Sequence, residues 1–363
     1  HCSMESVEIN PSFWKGRKVF VTGHTGFKGS WISLWLFKLG AIVTGYSLTK
    51  LSQPSMYEEL NIENVIQKNI FGDICDFNSL EMALKSSEAE IVIHLAAQSL
   101  VRESYKDPIN TYDTNIMGTV NLLEAARKVK SVKAILNVTS DKCYENREQL
   151  WGYHENDAMG GYDPYSSSKG CSELVSSAYR NSFLQEAGIA LATARSGNVI
   201  GGGDWAKDRI VPDSINAFIN DEVLIIRNPA ATRPWQHVLE PLSGYLILCQ
   251  QLILHPNRYT EAWNFGPNDQ DVKSVSTLAD IMVENWGGNA EWRPEFEKNS
   301  HEANLLKLDC SKANAILKWK SIWSFEKTIE KTVNWYKAWH EDCNMFELTL
   351  SQIEEYQKER QLK

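Results

Sequence analysis

The chain has no run of about eighteen uncharged apolar residues, the length a membrane-crossing helix needs. Its most apolar window, Trp31 to Phe37, is closed by Lys38 and Gly40. It has no Cys-x-x-Cys pair, and its seven cysteines, at positions 2, 75, 143, 171, 249, 310 and 343, are odd in number and widely spread. That pattern suits reduced thiols in a cytoplasm better than a disulfide framework. The eight histidines form no His-x-x-x-His spacing and no cluster with cysteine, so no metal site is expected. Excess positive charge is also missing: the net charge is −9, which argues against a nucleic-acid or anionic-membrane surface. A basic start followed by an apolar centre and a small-residue cleavage site is absent, so no secretory signal is expected. His1-Cys2-Ser3 ahead of Met4 are set aside. There is no internal repeat and no low-complexity segment.

What remains is an ordinary globular composition, 43% hydrophobic and 23% charged over 363 residues, enough for one large domain or two smaller ones. Most of the thirteen tryptophans are assigned to the core or to subunit contacts, and none to a cofactor. Strand patterns at 18–22, 41–46, 66–71, 91–95 and 134–139 alternate with helix patterns at 28–39, 56–60, 78–86 and 114–129. That alternation predicts an α/β fold, a doubly wound parallel sheet with helices on both faces. Residues 141–164 read as a long loop, 165–186 as helix, 190–194 as strand, and 324–341 as an amphipathic helix with Phe325, Ile329, Val333 and Tyr336 on one face.

Three motifs carry chemistry. The first is Thr22-Gly23-His24-Thr25-Gly26-Phe27-Lys28-Gly29, a glycine-rich turn between the strand Lys18–Val21 and an apolar helix. This is the context of a dinucleotide site, where glycines let backbone amides approach a pyrophosphate at a helix N-terminus. The spacing is Gly-x-x-Gly-x-x-Gly rather than Gly-x-Gly-x-x-Gly. The second is Tyr165-Ser166-Ser167-Ser168-Lys169. Tyrosine and lysine four apart share a helix face, and an ammonium near a phenol favours the phenolate. Such a tyrosine can take a proton from a substrate hydroxyl while hydride leaves the same carbon. The third is Val138-Thr139-Ser140-Asp141-Lys142-Cys143-Tyr144, at the carboxyl end of a strand, where ligands of open α/β sheets bind. It sets a hydroxyl and an acid/base pair at the same mouth.

Taken with Phe71-Gly72-Asp73-Ile74, His94-Leu95-Ala96-Ala97-Gln98, Asn115–Gly118, Ala194–Gly201, Gly201-Gly202-Gly203-Asp204-Trp205, Arg233-Pro234-Trp235-Gln236-His237 and Trp263–Pro267, these motifs make the chain resemble an extended short-chain dehydrogenase/reductase. Within that group it resembles the nucleotide-sugar 4,6-dehydratases, and among them the CDP-linked branch. The resemblance implies a Rossmann-type NAD-binding domain over 12–195 after a tail of 1–11, with a return segment near 236–259. It also implies a smaller C-terminal α/β domain for the nucleotide sugar, from 196–235 and 260–363. It implies Tyr165 and Lys169 as the redox pair, Ser140 as the residue binding the sugar oxygen and Asp141 as the acid for the C6 hydroxyl. Lys142 is implied as the base for the C5 proton, where thymidine-linked relatives carry glutamate. A lysine base must be neutral when it acts, which asks for burial or a nearby positive charge.

For the cofactor, the resemblance implies Gly23, His24, Gly26, Phe27, Lys28, Gly29, Ser47, Asp73, Ile74, Leu95, Ala96, Ala97, Asn115, Tyr165, Lys169, Ser196 and Val199, and for the substrate Asn198, Arg209, Arg233 and His237. Two departures stand out. His24 is bulky where most relatives have a small residue, which predicts crowding of the pyrophosphate. The second strand ends Gly45-Tyr46-Ser47-Leu48 without the carboxylate that reads the adenosine ribose. No arginine pair replaces it for NADP, though Lys50 is near, and the resemblance implies NAD. A homodimer or dimer of dimers, paired through helices around 114–129 and 165–186, is implied as well. A nucleotide-sugar 4-epimerase, a 4,6-dehydratase of another nucleotide sugar and a non-catalytic NAD sensor are the competing readings.

Overall fold

The computed structural model describes residues 8–49, 53–295 and 305–362. Lys50 and most of the expected tail lie outside the described residues. Seven strands form one sheet: β1 (Lys18–Thr22), β2 (Ile42–Ser47), β3 (Lys68–Phe71), β4 (Ile91–His94), β5 (Ala134–Val138), β6 (Ala190–Arg195) and β7 (Ala262–Asn264). Their order is β3-β2-β1-β4-β5-β6-β7, and every pairing is parallel.

The period-two alternation of a strand divides these residues between two cores. Val19, Val21, Ile91, Ile93, Ala134, Leu136, Ala190, Ala192 and Ala194 face one cluster. Phe20, Val92, Ile135 and Leu191 face the other. Both faces are therefore apolar, as a parallel sheet covered on both sides requires. Helix α1 (Phe27–Lys38) and helix α5 (Leu239–Leu254) cover the first face, while α2 (Phe77–Ser87) and α3 (Gly118–Lys128) cover the second. Helix α4 (Pro164–Tyr179) follows the long loop.

Three differences from the sequence reading have physical causes. The helix expected over 114–129 is broken by a π-helical turn, Asp113–Met117, ahead of α3. Asn115 sits in that turn with its side chain turned inward, as described below. The loop 141–164 opens with a 3₁₀ turn, Asp141–Cys143, capped by Ser140. The boundary expected at 260 shifts, because Ala262–Asn264 pairs with β6 and completes the main sheet. Two closing helices, α6 (Phe325–His340) and α7 (Met345–Gln361), pack on the first core, with Trp35 edge-on to Tyr356 at 5.8 Å.

Candidate active site

The sheet order reverses between β1 and β4, and the three motifs meet at the carboxyl ends of β1, β4, β5 and β6, where a doubly wound fold opens its crevice. The glycine turn is shaped by close approach. Gly23 has φ +72°, and a Cβ there would stand 2.8 Å from Ala96 N. Gly26 caps α1 with no side chain over the first turn. A Cβ on Gly29 would overlap the Gly23 carbonyl oxygen and stand 2.7 Å from His24 Cα. Helix and loop can pack this tightly only through glycine, which leaves the amides of the first helical turn in reach of a phosphate. The cradle therefore fits a dinucleotide. Phe27 and Lys28 on the first turn, and Leu95, Ala96 and Ala97 after β4, are half-buried around it. Ser47, at the end of β2, shares a 2.7 Å hydrogen bond with Thr25. Exposed Asp73 at the end of β3 accepts from Cys75 N at 2.9 Å.

Four expected ligand residues have their side chains turned into the protein. His24 has no accessible surface. Its ring lies over Gly45 and would overlap a Cβ there, and its Nε2 shares a 2.9 Å hydrogen bond with Asn69. Burial pulls its pKa down to about 4, so it is neutral. The imidazole is a packing element at the β2–β3 edge, not an obstacle above the phosphate loop. His237 is fully buried too, edge-on to Trp31 at 5.8 Å and to Trp323 at 4.7 Å. Burial takes its pKa down to about 3, and its ring packs within the core. The Ile74 side chain is buried in the second core beneath Gly118. Asn115, 2% exposed, braces the cleft instead of lining it. Its amide donates to Gln98 O and Ser168 Oγ, both at 2.9 Å, and its carbonyl accepts from Gln98 N.

The candidate reacting centre lies between the turn after β5 and the start of α4. Ser140 Oγ donates to Asp141 Oδ1 at 3.0 Å and accepts from Lys142 N at 3.2 Å. The same hydroxyl faces Tyr165 and favours its ionised form. Tyr165 and Lys169 are both buried, at 8% and 6% exposure. An ammonium-lowered phenol is not what burial allows here: burial, the largest influence, pushes Tyr165 up to about 12. Lys169 is itself pulled down to about 8 by burial, against the upward pull of Glu173. The burial asked of Lys142 is absent, since its side chain is exposed.

Arg209 belongs to this centre. Its guanidinium pairs with Asp204 at 2.7 Å, reaches Ser99 Oγ at 3.3 Å, and acts electrostatically on both Tyr165 and Lys28. Ser196 lies beside Lys28, donor to acceptor at 3.0 Å. Asn198 adopts φ +49°, and Val199 opens a short parallel pairing with Gln236. Arg233 sits further along in the strand Thr232–Pro234, half-buried, with Nη1 donating to Thr232 O.

One feature of the centre escaped the sequence reading. Glu173, four residues beyond Lys169 on α4, forms a buried pair with Arg195 at the end of β6, with 2.9 Å contacts from Nε and Nη2. Thr139 and Thr193 donate to the same carboxylate, and Arg195 Nη1 reaches Tyr144 OH. This network ties the helix carrying Tyr165 and Lys169 to the ends of β5 and β6. Its only sequence signal was the spacing of Lys169 and Glu173 on one helix face.

The family model described as GDP-mannose 4,6 dehydratase matches residues 20–332. The chain belongs to the GDP-mannose 4,6-dehydratase family. Within it, the chain is 53% identical to a CDP-glucose 4,6-dehydratase of Salmonella typhimurium over 353 residues, 96% of this chain and 98% of the relative. Among solved structures, an epimerase of Methanothermobacter thermautotrophicus superposes with TM-score 0.80 at 23% identity, over 93% of this chain and 98% of that one. A dTDP-glucose 4,6-dehydratase of Streptomyces venezuelae, solved with NAD, gives 0.76 at 22% identity, over 90% of this chain and 98% of that one. Those two likenesses bear on the fold, and both agree with the Rossmann-type sheet of this family.

Proposed function

We propose that this enzyme converts CDP-glucose to CDP-4-dehydro-6-deoxyglucose. The observation that carries the reading is the 53% identity to the Salmonella CDP-glucose enzyme over nearly the full chain, joined to Ser140, Asp141 and Tyr165 meeting at one point. The segment 12–195 holds the cofactor side and 196–235, with the chain beyond β7, the nucleotide-sugar side. The glycine turn Gly23–Gly29 would hold NAD, which when bound would supply the reversible hydride acceptance that oxidation at C4 and reduction at C6 require. Tyr165 takes the proton of the C4 hydroxyl, and Ser140, hydrogen-bonded beside it, holds that oxygen. Lys169 holds the cofactor ribose and supplies positive charge as the phenolate forms. Asp141 gives a proton to the C6 hydroxyl, which leaves as water. Lys142 takes the C5 proton. Arg209 binds the diphosphate through its fork of donors. An epimerase needs no acid at C6, so a buried Asp141 favours the dehydratase.

Incubation of the protein with CDP-, TDP-, GDP- and UDP-glucose tests this, with the 4-keto product read spectroscopically. Turnover of CDP-glucose well ahead of the others is expected; preference for another base, or a C4 epimer as product, would refute it.

The assembly is a homodimer or homotetramer, working in the cytoplasm. Tyr105, Ile109 and Met117 ahead of α3, and Leu174 and Phe183 around α4, are all more than 40% exposed, an apolar face that a second copy would cover. Sedimentation of Ile109→Glu/Leu174→Glu as a monomer is the expected result; an unchanged oligomer would place the contact elsewhere.

A further inference from the structure

Asp141 is 2% exposed. Its Oδ1 is held by Ser140, and its Oδ2 has no hydrogen-bond partner among the described residues. The carboxylate lies flat against the backbone of Gly197, just past the end of β6. A Cβ on Gly197 would overlap Oδ2 and Cγ outright and stand 2.6 Å from Oδ1; those three atoms are its nearest neighbours. Gly197 does not have a positive φ, so its backbone conformation is open to any L-residue, and only space requires glycine there.

The backbone around Gly197 cannot readily retreat. Gln236, 1% exposed, donates its side-chain amide to Gly197 O at 3.2 Å and to Phe265 O at 2.9 Å. The Gln236 backbone N–H donates to Asn198 O at 3.2 Å, and Phe265 N donates to Arg195 O at 2.8 Å. Moving Gly197 would strand several buried polar groups, each costly to leave unpaired. Turning the Asp141 carboxylate costs less, since it puts one hydrogen bond at risk, that of Oδ1 with Ser140, and Oδ2 has no protein partner to lose.

We propose that Gly197, clamped by Gln236, is a positioning residue for the reaction: it provides the slot that aims the Asp141 carboxyl at the departing C6 hydroxyl. The proposal rests on the assignment of Asp141 as the acid for that group. Tyr165 and Lys169 are not among the atoms nearest an added Cβ, so filling the slot should impair loss of water and spare hydride removal at C4.

The test is Gly197→Ala in the full chain, loaded with NAD and mixed with CDP-glucose, following both reduced-cofactor absorbance and 4-keto product. A displacement of about 1 Å can cost a reaction about a hundredfold. The expected result is product formation slowed by that order while reduced cofactor builds up. Product at the parent rate overturns the proposal, and so does an equal loss of both steps. Asp141→Asn, measured beside it, isolates the underlying assignment: if that variant dehydrates normally, Asp141 is not the acid, whatever Gly197 does.

Thermal unfolding gives a second measurement. Gly197→Ala should lower Tm in the parent chain but have little effect in Asp141→Ala, where the methyl group has room. If the single variant does not fold, the double variant should. Equal penalties in both backgrounds, or failure of the double variant to fold, overturns the proposal.

Discussion

Lys28, in the first turn of α1, donates to Ser196 Oγ, just past the end of β6, at 3.0 Å, and Ser196 in turn shares a 2.6 Å hydrogen bond with Tyr245 OH. The ammonium thus joins the glycine turn to the strand end where Asp141 and Gly197 meet. Burial, then the charge of Arg209, pulls Lys28 down to about 7, with Asp141 acting in the opposite direction.

That shift has a sign. Between about 7 and the ordinary lysine value of 10.5, the unfolded chain carries a proton that the folded chain does not, so this group's contribution to stability rises with pH across that window and is lost as pH falls through 7. Lys28→Met removes the penalty of charging a buried amine. Its Tm should exceed that of the parent at pH 6.5 and differ little at pH 10. Equal differences at both pH values would show that Lys28 is not held near neutrality.

Tyr165→Phe removes one hydroxyl and leaves the packing of α4. A fall in kcat of about 10²–10⁴ is expected, with calorimetric affinity for CDP-glucose kept. In the parent, Lys169 loses its charge above about pH 8, so kcat should decline there. Full activity of Tyr165→Phe would remove the tyrosine from the mechanism.

Asp141→Asn and Lys142→Met should separate oxidation from loss of water. Both keep Tyr165 and Lys169, so bound NAD is still reduced by CDP-glucose, and its absorbance should build up and persist while 6-deoxy product forms far more slowly. Lys142 is exposed, so its replacement should change stability by less than about 0.5 kcal/mol. Solvent deuterium should fail to enter C5 in Lys142→Met; exchange at the parent rate would place the base elsewhere.

Glu173→Gln breaks the buried pair with Arg195 and leaves a guanidinium short of its counter-charge. A loss of about 3–5 kcal/mol is expected from denaturant unfolding. Because Glu173 raises Lys169, the alkaline limb of the kcat profile should also move to lower pH. A profile that stays in place would confine Glu173 to a structural role.

The parts of this site that were legible from sequence are those whose partners lie a few residues apart. Strand, glycine turn and helix are contiguous from Lys18 to Lys38, and Tyr165 and Lys169 are one helical turn apart. What was not legible depends on partners brought in by the fold. His24 reads as an obstacle until Gly45 and Asn69 are seen to receive its ring. His237 reads as a ligand until Trp31 and Trp323 enclose it. Gly197 was one glycine in a motif stretch, and its role depends on a carboxylate from another strand end. The exposure of Lys142 is the reverse of what its role as a base asked, because exposure depends on the packing around a residue and not on its neighbours in the chain.

The central claim is that one site removes hydride from C4 and returns it to C6 with loss of water between. CDP-glucose carrying deuterium at C4 tests it most directly, by mass and NMR analysis of the product. The expected product is the 4-keto-6-deoxy sugar with the deuterium at C6. A dehydrated product whose label has been lost to solvent, or a labelled sugar returned with only its C4 configuration changed, would contradict the account.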